Sequence, residues 1–165
     1  MTKEAGRHWD GVYGSKAFDQ VSWYQTVPER SLRHILDAVT NRNAAIIDVG
    51  GGASTLVDNL LDAGFNDVTV LDISANALRQ ARHRLGTRAD AVNWVVADIR
   101  TFVPDREFSV WHDRAVLHFL IDAGDRARYR EALQRALLPG AKLVLSTFGP
   151  EGPLKCSGLQ IRRYN

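Results

Sequence analysis

Asp48, Asp72 and Asp98 each close an apolar run, and the first is followed at once by Gly50-Gly51-Gly52. A carboxylate at the carboxyl end of a buried strand faces whatever binds outside the sheet. Asp72 is placed there to accept hydrogen bonds from both hydroxyls of a ribose. Asp98 and the apolar Ile99 could hold the amino group and ring of an adenine. Glycines after the first strand let the backbone turn tightly and approach a ligand closely. A fourth run ends in His112-Asp113-Arg114. Each feature alone occurs in many scaffolds; the three acids and the glycine cluster together point to a nucleoside site.

These residues need elements to position them. Short apolar runs predict buried strands over 44–49, 68–73, 92–99 and 108–113, and a fifth strand over 142–148 after the Pro139-Gly140 turn. Between them, helical periodicity covers 54–63, a segment capped by Ser74 and ending before Gly86, and 125–137. The alternation predicts an α/β fold, a doubly wound, mainly parallel sheet with helices on both faces. Upstream, Thr26 and Glu29 fit a capping box for a helix with Leu32, Ile35, Leu36 and Val39 on one face. Before it, Trp9, Tyr13, Phe18, Trp23 and Tyr24 lie in a leader read as loop-rich, fit to form a lid. Trp94 and Trp111 read as core.

The chain of 165 residues suits one domain, divided here into an N-terminal lid and helix (1–43), a binding core (44–150) and a C-terminal tail (151–165). A net charge of +2 is too small to imply nucleic acid as a partner. Arg79, Arg82, Arg84 and Arg88 read as a solvated helix face. One cysteine, Cys156, rules out an intrachain disulfide and favours a cytoplasmic location. Residues 1–10 lack an apolar signal core, and no run nears the ~18–20 apolar residues of a membrane span. No metal is expected: His112, Asp113 and His118 lack the spacing of a ligand set.

Asp48-Val49-Gly50-Gly51-Gly52, Leu71-Asp72-Ile73, Ala97-Asp98-Ile99 and Leu138-Pro139-Gly140-Ala141-Lys142-Leu143 resemble successive motifs of class I, seven-β-strand methyltransferases, over about residues 44–148. The resemblance implies a Rossmann-like fold and S-adenosylmethionine as cofactor, with S-adenosylhomocysteine as product. It implies that Gly50 and Gly52, with Gly51 between them, contact the methionine part, and that Asp48 organises the loop. It further implies that Asp72, beside Ile73, binds the ribose and that Asp98 and Ile99 hold the adenine. Ser54 stands where many members have a third glycine. Asp113-Arg114 is similar to the Asp-Lys of protein-lysine methyltransferases acting on citrate synthase or elongation factor one-alpha, and Ser22-Trp23-Tyr24-Gln25 is similar to their N-terminal region.

The methyl acceptor, a protein or a small molecule, stays open. Aligning donor and acceptor is the main task of such an enzyme, and no nucleophilic triad is needed. Asp113 is the candidate catalytic residue, able to pair with an incoming ammonium or take its proton; a helix cap is its simpler use. Trp23 is expected to close over the cofactor. A dehydrogenase would want Gly-x-Gly-x-x-Gly, and Thr55 occupies the last position. Asp113-Arg114-Ala115-Val116 lacks the Asn/Asp-Pro-Pro-aromatic motif of nucleic-acid amino methyltransferases. A non-catalytic S-adenosylmethionine binder is the alternative from a different class. Only 17 residues follow Phe148, with one short strand over 159–164. The terminal hairpin of the fold thus reads as truncated, and the fifth strand as an exposed edge. Either a homodimer across that edge or the tail folding back over it is expected.

Overall fold

The structure is a computed structural model and describes residues 2–114 and 116–165; Ala115, within the run compared above, lies outside the described residues. Five parallel strands form the sheet: β1 (Ile46–Val49), β2 (Val68–Asp72), β3 (Val92–Val96), β4 (Phe108–Asp113) and β5 (Leu137–Leu145), in the order β3-β2-β1-β4-β5. The chain steps from β1 to β2 and β3 on one side, then returns to place β4 on the other. That reversal opens a crevice at the carboxyl ends of β1 and β4, where open α/β sheets bind ligands.

Successive residues of a strand face opposite sides, and β1 shows the result. Ile46 packs with Ile35, Leu60, Val68 and Leu78 beneath α2 (Glu29–Ala38), α3 (Leu56–Asp62) and α4 (Ala75–Leu85). Ile47 and Val49 turn the other way, onto Trp111, Tyr129 and Ala132 beneath α5 (Ala123–Ala136). Both faces of the sheet are covered, so β1 and β2 are buried along their whole length.

Several expectations need correcting. The leader is not loop-rich: α1 (Thr2–Ser15) is a helix of 14 residues, although its glycines at 6, 11 and 14 each disfavour helix by about 1 kcal/mol. Tertiary contacts outweigh them. Asp10 accepts from Ser74 Oγ at 2.7 Å and from the Asn76 amide at 3.1 Å, at the start of α4. Gln80 Nε2 donates to the carbonyls of Tyr13 (2.6 Å) and Lys16 (2.9 Å) at the end of α1. Thr26 forms no capping box, because Glu29 is the first residue of α2 and Pro28, with no side-chain acceptor, is its cap. The third strand stops at Val96 rather than 99, where the Ala97 amide turns to the Asp72 carbonyl at 3.0 Å. Pro139-Gly140 is not a turn before β5 but an irregularity within it, opposite a register shift between Phe108 and Val110, with Gly140 at φ +80.

The tail forms its own antiparallel hairpin, β6 (Lys155–Cys156) and β7 (Leu159–Gln160), and joins no strand of the main sheet. Its backbone crosses the sheet's carboxyl end, with the Arg162 amide on the His118 carbonyl (2.7 Å) and the Tyr164 amide on the Phe148 carbonyl (2.9 Å). It therefore does not cover the edge as expected: β5 is the last strand, and Leu143 and Leu145 on it are exposed. No helix among the described residues is long and apolar enough to cross a membrane.

The docking of α1 rests on Asp10. Asp10→Ala is expected to lower the unfolding free energy by about 1–3 kcal/mol and to open residues 2–15 to proteolysis while the sheet stays protected. Denaturant unfolding with limited proteolysis checks both.

Candidate functional site

A cleft of about 640 Å³ lies over the carboxyl ends of β1, β2 and β4, a size typical of small-molecule sites. Its floor is the glycine loop. Gly50 (φ +69) and Gly52 (φ +49) adopt left-handed backbone, which side chains disfavour. A Cβ on Gly50 would lie 2.1 Å from Val116 Cγ2, one on Gly51 2.5 Å from Asp48 Oδ2, and one on Gly52 2.9 Å from Asp72 Oδ2. The backbone thus passes between two carboxylates, packed too closely against Val116, Asp48 and Asp72 to carry a side chain without a shift. Arg84 braces the loop from below, donating to the Ala53 and Ser54 carbonyls (both 2.8 Å) and pairing with Asp58 at 2.6 Å. Its side chain is 14% exposed, so Arg84 is not part of a solvated face.

Asp48 is fixed across the sheet. Its Oδ1 lies 2.7 Å from Nδ1 of His112, the residue paired with it in β4, and His112 Nε2 lies 2.9 Å from Ser31 Oγ on α2. An ionised Asp48 selects the tautomer in which Nδ1–H donates and Nε2 accepts from the serine hydroxyl. All three are buried, and Ser31 does not reach the cleft, so this serine–histidine–aspartate row is a brace and not a nucleophile.

Asp72 has no such histidine partner. Its Oδ1 accepts from the Ser74 amide at 2.8 Å, but burial, with Asp48 and Asp10 adding repulsion, pushes its carboxyl up to about 7. Ile73 beside it lines the same wall. Asp98 and Ile99 also face the cleft, yet both oxygens of Asp98 are engaged by Arg100 (Nη2 to Oδ2 2.6 Å, Nε to Oδ1 2.9 Å). Burial pushes the Asp98 carboxyl up, but Arg100 pulls harder and leaves it below its ordinary value. Arg100 also reaches Asp125 at 3.2 Å.

One wall is aromatic. Trp23 Nε1 donates to Tyr13 Oη at 3.1 Å, and Trp9 meets Trp23 and Phe119 edge-on with centroids 5.8 and 5.3 Å apart. Arg114 ties this wall to β4 by donating to the Trp23 carbonyl (3.3 Å) and to Gln25 Oε1. Burial pushes the Tyr13 hydroxyl up to about 12, so it stays protonated.

Asp48, Gly50, Gly51, Asp72, Ile73, Asp98, Ile99 and Trp23 thus meet at one cleft, with Gly52 immediately beneath. Asp113 does not join them. It is 1% exposed and turned from the cleft, accepting from the Val116 amide (2.7 Å), the Leu117 amide (3.1 Å) and Tyr129 Oη (2.8 Å). The expectation that it meets an acceptor is corrected by this geometry: parallel pairing continues to the last residue of β4, and the next turn closes over its carboxylate. Ser31 and Arg100 carry no signal in the sequence, and His118 stands out there only as a metal ligand that its spacing rules out. His112, beside the expected Asp113, carried a sequence signal of its own, as part of the strand-end run. Among the described residues no three metal-binding side chains cluster.

Comparison with known proteins gives the class. The chain belongs to the methyltransferase-domain family, which it matches over residues 46–140, and has the class I Rossmann-like fold. It is similar to the eEF1A lysine and N-terminal methyltransferase of Mus musculus (25% identical over 133 residues, 79% of this chain and 19% of that protein) and of Bos taurus (30% over 122 residues, 70% and 17%). The chain therefore spans under a fifth of the length of those relatives. Among solved structures, the glycopeptide N-methyltransferase MtfA complexed with S-adenosylmethionine has a TM-score of 0.65 at 23% identity, covering 79% of this chain and 57% of that one. The DhpI-SAM-HEP complex has a TM-score of 0.67 at 19% identity, covering 90% and 65%. Both likenesses concern the fold.

Asp72 sets a pH dependence of opposite sign to that of a salt-bridged acid. Its folded value, about 7, lies above the ordinary 3.8, so the folded chain holds a proton that the unfolded chain has released. Its stabilising contribution is complete below pH 4, is lost as pH rises to 7, and above that ionised Asp72 costs on the order of 4 kcal/mol. Asp72→Asn should remove that slope, which urea midpoints between pH 5 and 8 would show.

Proposed function

We propose that this cleft binds S-adenosylmethionine and that the chain transfers its methyl group to an acceptor, a protein lysine or a small molecule, entering beside the loop after β4. The observation that carries this reading is the glycine loop, whose backbone runs between Asp48 and Asp72 with no room for a side chain at 50, 51 or 52. That cradle suits the methionine part of the donor. Asp72 would take the ribose hydroxyls, with Ile73 alongside, and Ile99 and Asp98 would hold the adenine ring and its amino group. Trp23 and Tyr13 would close the methionine side. In this reading residues 44–150 are the donor-binding core, 1–43 supply its wall, and 151–165 border the acceptor's entry.

When bound, S-adenosylmethionine supplies a methyl group already activated on a sulfonium, which an acceptor's lone pair takes as the carbon–sulfur bond breaks with its electron pair kept by sulfur. The protein's share is alignment and exclusion of water. Asp48, locked by His112, keeps the loop in register with β4. Ribose hydroxyls donating to Asp72 favour its ionised form, so binding releases a proton wherever Asp72 starts protonated. Asp113 acts as a positioning residue: by holding the amides of Val116 and Leu117 it fixes the turn that carries His118 and Phe119 into the cleft. The open edge of β5 supports pairing with a second copy of the chain; sedimentation should then show a dimer that Leu143→Lys dissociates.

Calorimetric titration with S-adenosylmethionine and S-adenosylhomocysteine tests the donor site. One-site binding is expected, weakened at least 10-fold by Asp72→Ala and by Trp23→Ala. In buffers of different ionisation enthalpy, proton release should grow as pH falls from 8 toward 6. No binding by folded protein would refute the reading.

A further inference from the structure

The far half of the cleft, away from the three aspartates, holds a side chain that no step above uses. His118 sits on the 3-10 turn Leu117–Phe119, lines the cleft and is 2% exposed. Both of its ring nitrogens are buried without a hydrogen-bond partner. Its ring lies between two phenyl groups, with centroids 4.3 Å from Phe119 and 5.0 Å from Phe148. A buried polar group without a partner is a standing cost to a fold. Here the turn is well anchored: Asp113 holds its leading amides, and the Arg162 amide donates to the His118 carbonyl at 2.7 Å. The ring is therefore kept in its place by its surroundings and not by bonds of its own. His118 lines the cleft, so a ligand seated there is one partner its nitrogens could gain.

The surroundings select the ligand. Phe119 and Phe148 pack on His118, and the strand end and tail beside them bring Leu159 to the cleft together with the uncharged polar Ser146, Thr147, Ser157 and Gln160. Every carboxylate among the described lining residues, Asp48, Asp72 and Asp98, belongs to the donor half. An ammonium would find no counter-charge beside His118, and would enter next to the cationic sulfonium of the donor. An uncharged, largely apolar molecule with one acidic hydrogen fits both the aromatic walls and the unpartnered nitrogens.

We propose that His118 is a catalytic residue that accepts the proton of the methyl acceptor, and that the acceptor is a small uncharged aromatic or apolar molecule bearing an O–H or S–H group. The step balances simply. The acceptor's O–H or S–H bond breaks, its electron pair stays on oxygen or sulfur for attack on the methyl carbon, and the proton goes to an imidazole nitrogen. The proton leaves to solvent with the methylated product. Burial pulls the His118 imidazole down to about 4, so it enters the reaction neutral at physiological pH, with a lone pair to offer. This deepens the proposed function and rests on it, choosing the small-molecule acceptor over the protein lysine.

The test uses the full chain saturated with S-adenosylhomocysteine and three probes: phenylmethanethiol, 4-methylphenol and Nα-acetyl-lysine amide. Histidine ring nitrogens are followed by nuclear magnetic resonance in protein labelled with ¹⁵N-histidine, the His118 signals being assigned from their loss in His118→Phe. Phenylmethanethiol and 4-methylphenol should shift the His118 signals saturably, and the lysine amide should not. His118→Phe fills the same space without a nitrogen, and His118→Asn keeps a polar group that cannot carry the proton. Both should bind S-adenosylhomocysteine within about 3-fold of the parent and melt no lower for the Phe variant, since an unpartnered polar group has been removed. In both variants, methylation of phenylmethanethiol by the donor-loaded chain should fall at least 100-fold in kcat. Silence of the His118 signals with both neutral probes, a response to the lysine amide, or undiminished kcat in His118→Phe would each overturn the proposal. Failure of the parent chain to bind S-adenosylhomocysteine at all would overturn the donor reading and this one with it, whereas normal donor binding with a silent His118 would overturn this one alone.

Discussion

The 2.7 Å contact between Asp48 and His112 joins the ends of the two strands at which the sheet reverses its order. Much of the cleft depends on it. With Asp48 tied to β4, its second oxygen sits where a Cβ of Gly51 would be, and the loop must cross as bare backbone. The charge held there also adds to the burial that raises Asp72. A single buried contact thus helps shape the floor and adds to the burial that raises its neighbour. The strand-end acids are stabilised in different ways: Asp48 by a histidine, Asp98 by an arginine, Asp113 by amides and a phenol. Asp72 alone has only backbone amides, and that poor compensation leaves it able to respond to a ligand.

The wall above the floor is attached differently from the floor itself. Its aromatic residues pack on one another, but the second half of α1 is held to α4 by polar contacts: Asp10 reaches the start of α4, and Gln80 further along α4 reaches the end of α1. Arg114 then links residues 23 and 25 to β4. The opposite border is lighter, a two-residue hairpin and a few backbone bonds over the turn that carries His118. The two halves of the cleft accordingly differ in how their borders are attached as well as in charge.

Much of this was legible in the sequence because it was periodic or punctuated. Apolar runs broken by Asp and Gly located all five strands, β4 to the residue, and Ser74 caps α4 through the Ala77 amide as its position suggested. What was not legible came from contacts between residues distant in the chain. Nothing local marks 2–15 as helix, since its glycines argue against one; Ser74, Asn76 and Gln80 supply what it lacks, more than 60 residues away. Arg84 reads as a surface charge until the glycine loop's carbonyls are brought to it. Asp113 was read from its place at a strand end, which is correct, but which way its carboxylate turns is decided by the amides after it and by Tyr129 on α5.

The close packing around Gly50, Gly51 and Gly52 bears on how such a protein can change over generations. Three consecutive positions admit no side chain, and the carboxylates flanking them are fixed by partners on other elements. Small adjustments are closed to this stretch, since almost any replacement collides with Val116, Asp48 or Asp72. Drift in ligand preference must therefore accumulate in the walls, at positions such as Trp9, Ile73, Phe148 and Leu159, where a change of size alters the space without moving the backbone beneath. The floor is the inherited part of the site, and the walls are where descendants can diverge.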